Sequence, residues 1–390
     1  MPQPLRIALL MGQDSSFCRG ILRGIRCYAL HQKNWIFRNG PPQPDILGPL
    51  REWKPHGIIG HLFDAEIARA VMRMRRPVVD VACTLPRLKA PIVDVDHTAI
   101  GRLAAEHFLE RGFPHYAFFG SGEAEYAKMR QAAFRERLAE AGHEVLSCHA
   151  EYVPHLPATA SWRETDKKER QWLKGLPKPV AILAANDVPA RDVTDICRQL
   201  GFDVPDEVAV LGVDNDEVEC GLADPPLSSI AIPAERIGHV AAELLDRMMA
   251  GEEGPRQTTF LPPVRVVTRQ STDTLAISDP AVAEALRFIR QHATDEDFHV
   301  GDVVTGVAHS RRLLEIRFRE LLGRTVLQEI RRIRVEIAKG LLMETSLSMP
   351  AIARRAGFPN AARLCIVFRK VTGLTPTAYR QQALVTEGRV

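Results

Sequence analysis

Carboxylates and amides recur directly after short apolar runs in this sequence. Gly12-Gln13-Asp14-Ser15-Ser16 follows Leu5–Met11, Asp94-Val95-Asp96 follows Val93, and Gly120-Ser121-Gly122 ends another run. Asn186-Asp187 follows Ala181–Ala185, and Asp214-Asn215-Asp216 follows Val208–Val213. Such groups accept hydroxyl protons, and arginine donates, so together they suit a polyhydroxylated ligand. Taken singly, each is better read as a helix cap or turn residue; their recurrence points to a shared site. A second group is cationic: Ser310-Arg311-Arg312, with Glu315 one turn on, then Arg319 and Arg324, and later Arg369 and Lys370. Arginine near a helix N-terminus suits paired bonds to guanine, Glu315 suits cytosine or a bond to Arg312, and the later cations suit phosphate. Asn360 and Arg363 are the corresponding candidates in the second half.

The elements that must position these groups fall into two textures. Strand-like runs at Leu5–Met11, Gly57–Leu62, Pro77–Ala82, Ile92–Val95, Tyr116–Gly120, Val180–Ala184 and Val208–Val213 alternate with segments of helical period. The latter are Arg19–His31, Ala65–Met74, Thr98–Arg111, Arg130–Ala141, Pro189–Leu200 and Ala234–Met249. This alternation predicts parallel strands buried on both faces, with ligands at their carboxyl ends. A proline-rich stretch with a last strand at Val264–Val267 leads to a connector at 274–279. From Pro280 only helices are expected: Ala281–His292, Val300–Gly306, Ser310–Leu322, Thr325–Met343, Met349–Gly357, Asn360–Val371 and Pro376–Arg380. A shift of 50 residues brings Phe318-Arg319, Gly323 and Thr325 onto Phe368-Arg369, Gly373 and Thr375. Each half reads as a helix-turn-helix capped by Ser310 or Asn360, whose second helix suits the major groove of double-stranded DNA.

Bulk properties narrow the classes. A length of 390 residues suits two domains, and 45% apolar with 25% charged residues suits a globular chain. Seven cysteines without a C-x-x-C pair point to a reducing cytosol, hence a cytoplasmic protein. The N-terminus reads as a first strand and not a signal peptide, and no run approaches the ~20 apolar residues of a membrane span. Residues 281–390 hold 18 Lys and Arg against 11 Asp and Glu, net +7, whereas the remainder is net −4. Only the C-terminal part therefore favours a polyanion. No Ser-His-Asp set, carboxylate pair or metal cluster emerges, so neither an enzyme nor a metal site is expected, and the dispersed histidines read as surface or core residues. Lacking G-x-G-x-x-G and the Walker pattern, the sequence supports no cofactor. Trp162 is the tryptophan best suited to cover a sugar face.

Residues Leu5 to about Thr272 resemble the effector domain of the lac-repressor and periplasmic sugar-binding family, most clearly over Ala181–Ile230 (AILAANDVPARDVTDICRQLGFDVPDEVAVLGVDNDEVECGLADPPLSSI). The resemblance implies a type I fold of two α/β lobes joined by a three-stranded hinge. It places Asn186 and Asp214 on ligand hydroxyls, Asp187 beside them, and Arg130 of KMRQAAF as a clamp. Asp14, Ser16 and Arg19 of the first-strand loop would form the near wall, where Cys18 is an unexpected neighbour. Because the resemblance starts at Leu5, the amino-terminal DNA-binding headpiece usual in that family is not expected here. Met349–Arg380 (MPAIARRAGFPNAARLCIVFRKVTGLTPTAYR) is similar to the AraC family of transcription regulators, as is the linker helix with Arg334, Ala338 and Leu341-Leu342. Departures are Ala308, His309 and Ile366, which stands where a basic residue is frequent. Since Pro359-Asn360-Ala361-Ala362 is poor in base-reading side chains, the first recognition helix is expected to carry more of the readout.

The expected architecture is thus a sensing domain at 5–273, a linker at 274–279 and an all-α double helix-turn-helix domain at 280–384. That pairing resembles activators of pentose operons, and implies a D-xylose-type effector, a homodimer and RNA polymerase as a further partner. The alternatives are a transport-type sugar-binding protein and a regulator answering to a non-pentose ligand.

Overall fold

A computed structural model describes residues 3–13, 15–30, 34–85, 88–150, 167–255, 258–274, 279–295, 297–307, 309–345 and 347–384. Asp14, Trp162, Ala308 and most of the expected 274–279 linker lie outside the described residues. The chain divides into two compact units, Met1–His107 with His115–Thr274, and Phe108–Pro114 with Leu275–Val390.

The first unit runs β1 (Leu5–Leu10), α1 (Ser16–Leu30), β2 (Trp35–Gly40), α2 (Leu47–Trp53), β3 (Gly57–Gly60), α3 (Ala65–Met72), β4 (Val78–Asp80) and β5 (Val93–Val95). It continues with α4 (His97–Leu109), β6 (His115–Ser121), α5 (Glu125–Ala139), β7 (Val145–Ala150), α6 (Lys167–Gly175), β8 (Val180–Ala184), α7 (Asp187–Leu200), β9 (Val208–Asp214) and α8 (Glu217–Leu222). β10 (Ser228–Ala231), α9 (Ala234–Met249), β11 (Thr259–Leu261) and β12 (Arg265–Val267) complete it. One lobe is built on the parallel sheet β2-β1-β3-β4, which an Asp80–Ile92 bridge extends to β5 and β11. The other is built on β12-β10-β9-β8-β6-β7, parallel except for the antiparallel β12. The chain passes between the lobes three times: after β5, between β10 and α9, and between β11 and β12. The central strands β3 and β8 are buried at every position, as strands covered on both faces must be.

Four strands escape the sequence pattern. β2 and β7 are sheet edges with partly exposed, polar faces, β10 opens with two serines, and β11 has only three residues. α1 and α5 both begin earlier than periodicity predicts, at Ser16 and Glu125. α1 crosses α9 at backbone contact. A Cβ on Gly24 would stand 1.7 Å from the Glu235 carbonyl oxygen, and one on Gly238 would stand 2.0 Å from that of Ile21. Only glycine permits that approach.

The second unit is helical: α10 (Pro280–His292), α11 (Val300–Gly306), α12 (Arg311–Leu322), α13 (Val326–Glu344), α14 (Met349–Arg355), α15 (Ala361–Thr372) and α16 (Pro376–Leu384). Two cores form, one around Leu286, Leu314 and Phe318, the other around Ile352, Leu364 and Phe368, and α13 contributes to both. Sequence signals set the boundaries. Ser310 caps α12 and Asn360 caps α15 through their side chains, while Thr325 and Gln328 form a capping box on α13. Gly323 and Gly373 end α12 and α15 in the left-handed conformation, at φ 65° and 78°. Arg334 of α13 donates to the carbonyls of Ala293 (2.7 Å) and Phe298 (2.8 Å), tying α13 to the loop after α10. No described helix is long and apolar enough to cross a membrane.

Candidate functional site: a polar cavity and two recognition helices

The carboxyl ends of the strands in the first unit converge on a cavity of about 260 Å³. One lobe supplies Ser15, Ser16, Phe17, His61, Thr84 and Asp94; the other supplies Tyr126, Arg130, Asn186, Asp187, Asp214 and Asp216. The volume lies at the small end for ligand sites, suiting one monosaccharide-sized guest.

Arg130 is the central cation. It projects from α5, is 3% exposed, and lies 5.0 Å from the Tyr126 ring centroid. Its Nε donates to Nδ1 of His97 (3.3 Å), and Nη1 donates to the Ala185 carbonyl. His97 Nε2 in turn meets Asp94 Oδ2 at 2.9 Å. Since Nδ1 accepts from Arg130, the hydrogen sits on Nε2 and points at Asp94. Burial opposes ionisation of Asp94, yet His97 and the amides of Cys83 and Val95 hold its carboxyl below the usual range.

Asn186 and Asp214 meet opposite this chain: Asn186 Nδ2 donates to Asp214 Oδ2 at 2.8 Å. Asn186 Oδ1 is buried without a hydrogen-bond partner among the described residues. Burial pushes the Asp214 carboxyl up to about 6, while Arg130 and the Asn186 amide pull the other way. Asp187 also borders the cavity, but its oxygens are engaged. Oδ2 accepts from the Asp216 amide (2.7 Å) and Oδ1 from the Ser229 hydroxyl, so it holds the loop after β9 in place. Burial, then the neighbouring Asp214 charge, raise its pKa well above the usual carboxylate range. Asp216 caps α8 and accepts the Ser16 amide at 3.0 Å, joining the near-wall loop to the other lobe.

Of the residues expected at the ligand, Ser16, Arg130, Asn186, Asp187 and Asp214 line the cavity. Arg19 does not. It faces Gln13 (2.9 Å to the carbonyl) and Asp216 (3.9 Å), because it lies a turn into α1, past the wall. Cys18 is buried beside His61 and is likewise off the wall. Sequence reasoning missed Phe17, His61, Thr84, His97 and Tyr126. His97, read from the sequence as a surface or core histidine, is buried and bonded to both Asp94 and the cavity arginine.

On the second unit the outward residues of α12 and α15 match the cationic pattern. Arg311, Arg312 and Arg319 are exposed on α12, as are Arg363, Arg369 and Lys370 on α15. Ser310 and Asn360 spend their side chains on capping bonds, to the amides of Leu313 (3.3 Å) and Arg363 (2.8 Å). Glu315 is half-buried, with Oε2 lacking a partner among the described residues. Arg324, expected on phosphate, instead pairs with Glu329. Glu329 is 1% exposed between Arg324 and Arg332; burial opposes its ionisation, but the two arginines hold its carboxyl down at about 2.

Comparison with known proteins finds relatives for both parts of the chain. Residues 105–272 match the family model of a periplasmic binding protein-like domain, and residues 304–382 match that of a helix-turn-helix domain. The xylose operon regulatory protein of Escherichia coli (strain K12) is 32% identical over 383 residues, 96% of each chain. The protein of the same description from Haemophilus influenzae is 28% identical, over 97% of this chain and 98% of its own. A solved structure of a xylose-binding transcription activator is 30% identical, covering 97% of this chain and 98% of its own, with a TM-score of 0.61. A periplasmic binding protein/LacI regulator from Alkaliphilus metalliredigens, solved with D-xylulofuranose, shares the fold of 70% of this chain at 18% identity and a TM-score of 0.57. Because the matches span the sensing and helix-turn-helix parts together, the chain belongs to the family of xylose operon regulatory proteins, which are transcription regulators and not enzymes.

Proposed function

We propose that the first unit binds a neutral pentose, D-xylose first among them, and that the second binds operator DNA in response. The observation that carries the sugar reading is the unpartnered, buried Asn186 Oδ1 beside Asp214 and Arg130. A buried acceptor without a donor costs about 1–3 kcal/mol, which a ligand hydroxyl would recover. The acidic lining, with Arg130 as its one arginine among the described residues, disfavours phosphorylated or carboxylated sugars.

Ser16 and Asp14 of the first-strand loop, with Arg130, Asn186 and Asp214, form the proposed ligand set; Arg19 and Asp187 support the loops around it. Polar groups of both lobes engage the sugar together only when the lobes are closed, so binding shifts the population toward closure. In a homodimer paired through the sensing units, closure re-spaces two DNA-binding units on an operator. The protein then acts in the cytoplasm as an activator that presents RNA polymerase with a sugar-dependent promoter complex. Residues 5–273 are the sensing domain and 280–384 the DNA-binding domain in this reading, with Ser310, Arg311, Arg312, Glu315, Arg319, Asn360, Arg363, Arg369 and Lys370 at the DNA.

The test is calorimetric titration and thermal shift of the full chain with D-xylose, L-arabinose, D-ribose, D-glucose and D-xylose 5-phosphate. A ligand in excess raises the melting temperature by mass action. Pentose binding with no response to the phosphate is expected. A protein indifferent to every neutral monosaccharide overturns the reading.

A further inference from the structure

The 50-residue repeat that relates Phe318 to Phe368 also relates two isoleucines, Ile316 in α12 and Ile366 in α15. Each recognition helix is anchored by a buried pair four residues apart, Leu314 with Phe318 and Leu364 with Phe368. At about 100° per residue, a position two residues from both anchors faces directly away from the core. The isoleucines occupy it, 43% and 62% exposed. Large β-branched side chains on an exposed helix surface contribute neither core packing nor helix propensity.

Their neighbours identify what covers them. Ile316 lies one turn from Arg312, Arg319, Glu320 and the exposed Leu313; Ile366 lies one turn from Arg363, Arg369 and Lys370. Cations outnumber the single carboxylate beside Ile316 and are the only charges one turn from Ile366, which favours a polyanion over the apolar face of a second protein. The position also lies midway along each helix, beyond the N-terminal turn where arginine reaches base edges. The apolar group that duplex DNA offers in its major groove is the 5-methyl of thymine.

We propose that Ile316 and Ile366 are specificity-determining residues that each read a thymine methyl, one per helix-turn-helix, in successive major-groove segments. The proposal rests on the DNA-binding reading of the second unit. It makes the two motifs more equal than their arginines imply: α15, poor in polar base readers, still discriminates thymine from cytosine through Ile366.

The test removes the methyl alone. Duplexes that bind the full chain are selected from a random pool, and affinity is measured by fluorescence anisotropy on the selected site and on copies with single thymines replaced by uracil. Two separate uracil positions, one per half of the site, are expected to weaken binding about four-fold each, the effect of one buried methyl. Ile316→Ala should abolish the loss at one position and Ile366→Ala at the other, with unchanged melting temperature because both residues are exposed. A uracil effect that is absent, or that persists unchanged in both variants, overturns the assignment while leaving DNA binding intact. Failure to select any duplex overturns the DNA-binding reading itself, and this proposal with it.

Discussion

Arg130 at the cavity and Arg312 on the first recognition helix carry the same guanidinium into opposite surroundings. Arg130 is buried, bonded to His97 and Ala185, and laid against Tyr126. Arg312 stands exposed at a helix N-terminus among other exposed cations. In a buried site each group is fixed by its neighbours, so removing one leaves the others uncompensated. On an exposed face charges act in number, are screened by salt, and are replaceable one at a time. The comparison teaches that the sugar site should fail abruptly and the DNA face gradually.

The largest effect tests this rule inside the DNA-binding unit itself, where Glu329 is the buried exception. Glu329→Gln leaves Arg324 without its carboxylate and Arg332 with Glu110 alone, and should cost roughly 3–5 kcal/mol in denaturant unfolding of that unit. Since Glu329 titrates at about 2 when folded against 4.5 ordinarily, its stabilisation is present above pH 4.5 and lost as pH falls toward 2. At the cavity, Arg130→Ala should weaken sugar binding by roughly 2–5 kcal/mol in calorimetry without altering affinity for DNA measured in the absence of sugar.

A pH titration sharpens the contrast. Ionised Asp214 accepts hydroxyl protons with both oxygens, whereas protonation turns one oxygen into a donor and removes the charge, a change its raised pKa places near pH 6. Sugar affinity should be flat above about pH 6 and fall below it, approaching about ten-fold per unit, while Asp214→Asn binds weakly and flattens the profile. The smallest effects belong to the exposed arginines. Arg311→Ala should cost about 1–3 kcal/mol and relax preference at one base pair, whereas Arg369→Ala should weaken all sequences alike and reduce the salt slope by about 1. An Arg369→Ala loss confined to one base pair would break the assignment of roles.

Much of this was legible in the sequence, for physical reasons that differ by region. The helical unit is specified locally: Ser310, Thr325, Asn360, Gly323 and Gly373 mark their own boundaries, and the repeat exposes the pairing of motifs. The parallel sheets were visible where strands are buried on both faces, as at β8, and invisible where an edge strand such as β7 mixes serine and histidine with apolar residues. The cavity was half legible. Asn186 and Asp214 follow strands and carry a recognisable motif, but the link from Asp94 through His97 to Arg130 joins residues 94, 97 and 130 only after folding. Arg324 misled because nothing local distinguishes an arginine that faces phosphate from one that faces a buried glutamate four residues into the next helix.

The glycine crossing of α1 and α9 has a mechanical consequence. With Gly24 and Gly238 at the contact, backbone rests on backbone at the crossing point, and the flanking Arg23–Glu235 and Tyr28–Asp246 bonds tie the two helices on either side of it. α1 opens at Ser16 on the cavity wall, and α9 opens just after the chain has crossed from β10. A displacement of the first residues of α1 would therefore carry α9, and with it the second crossover, along as one rigid pair.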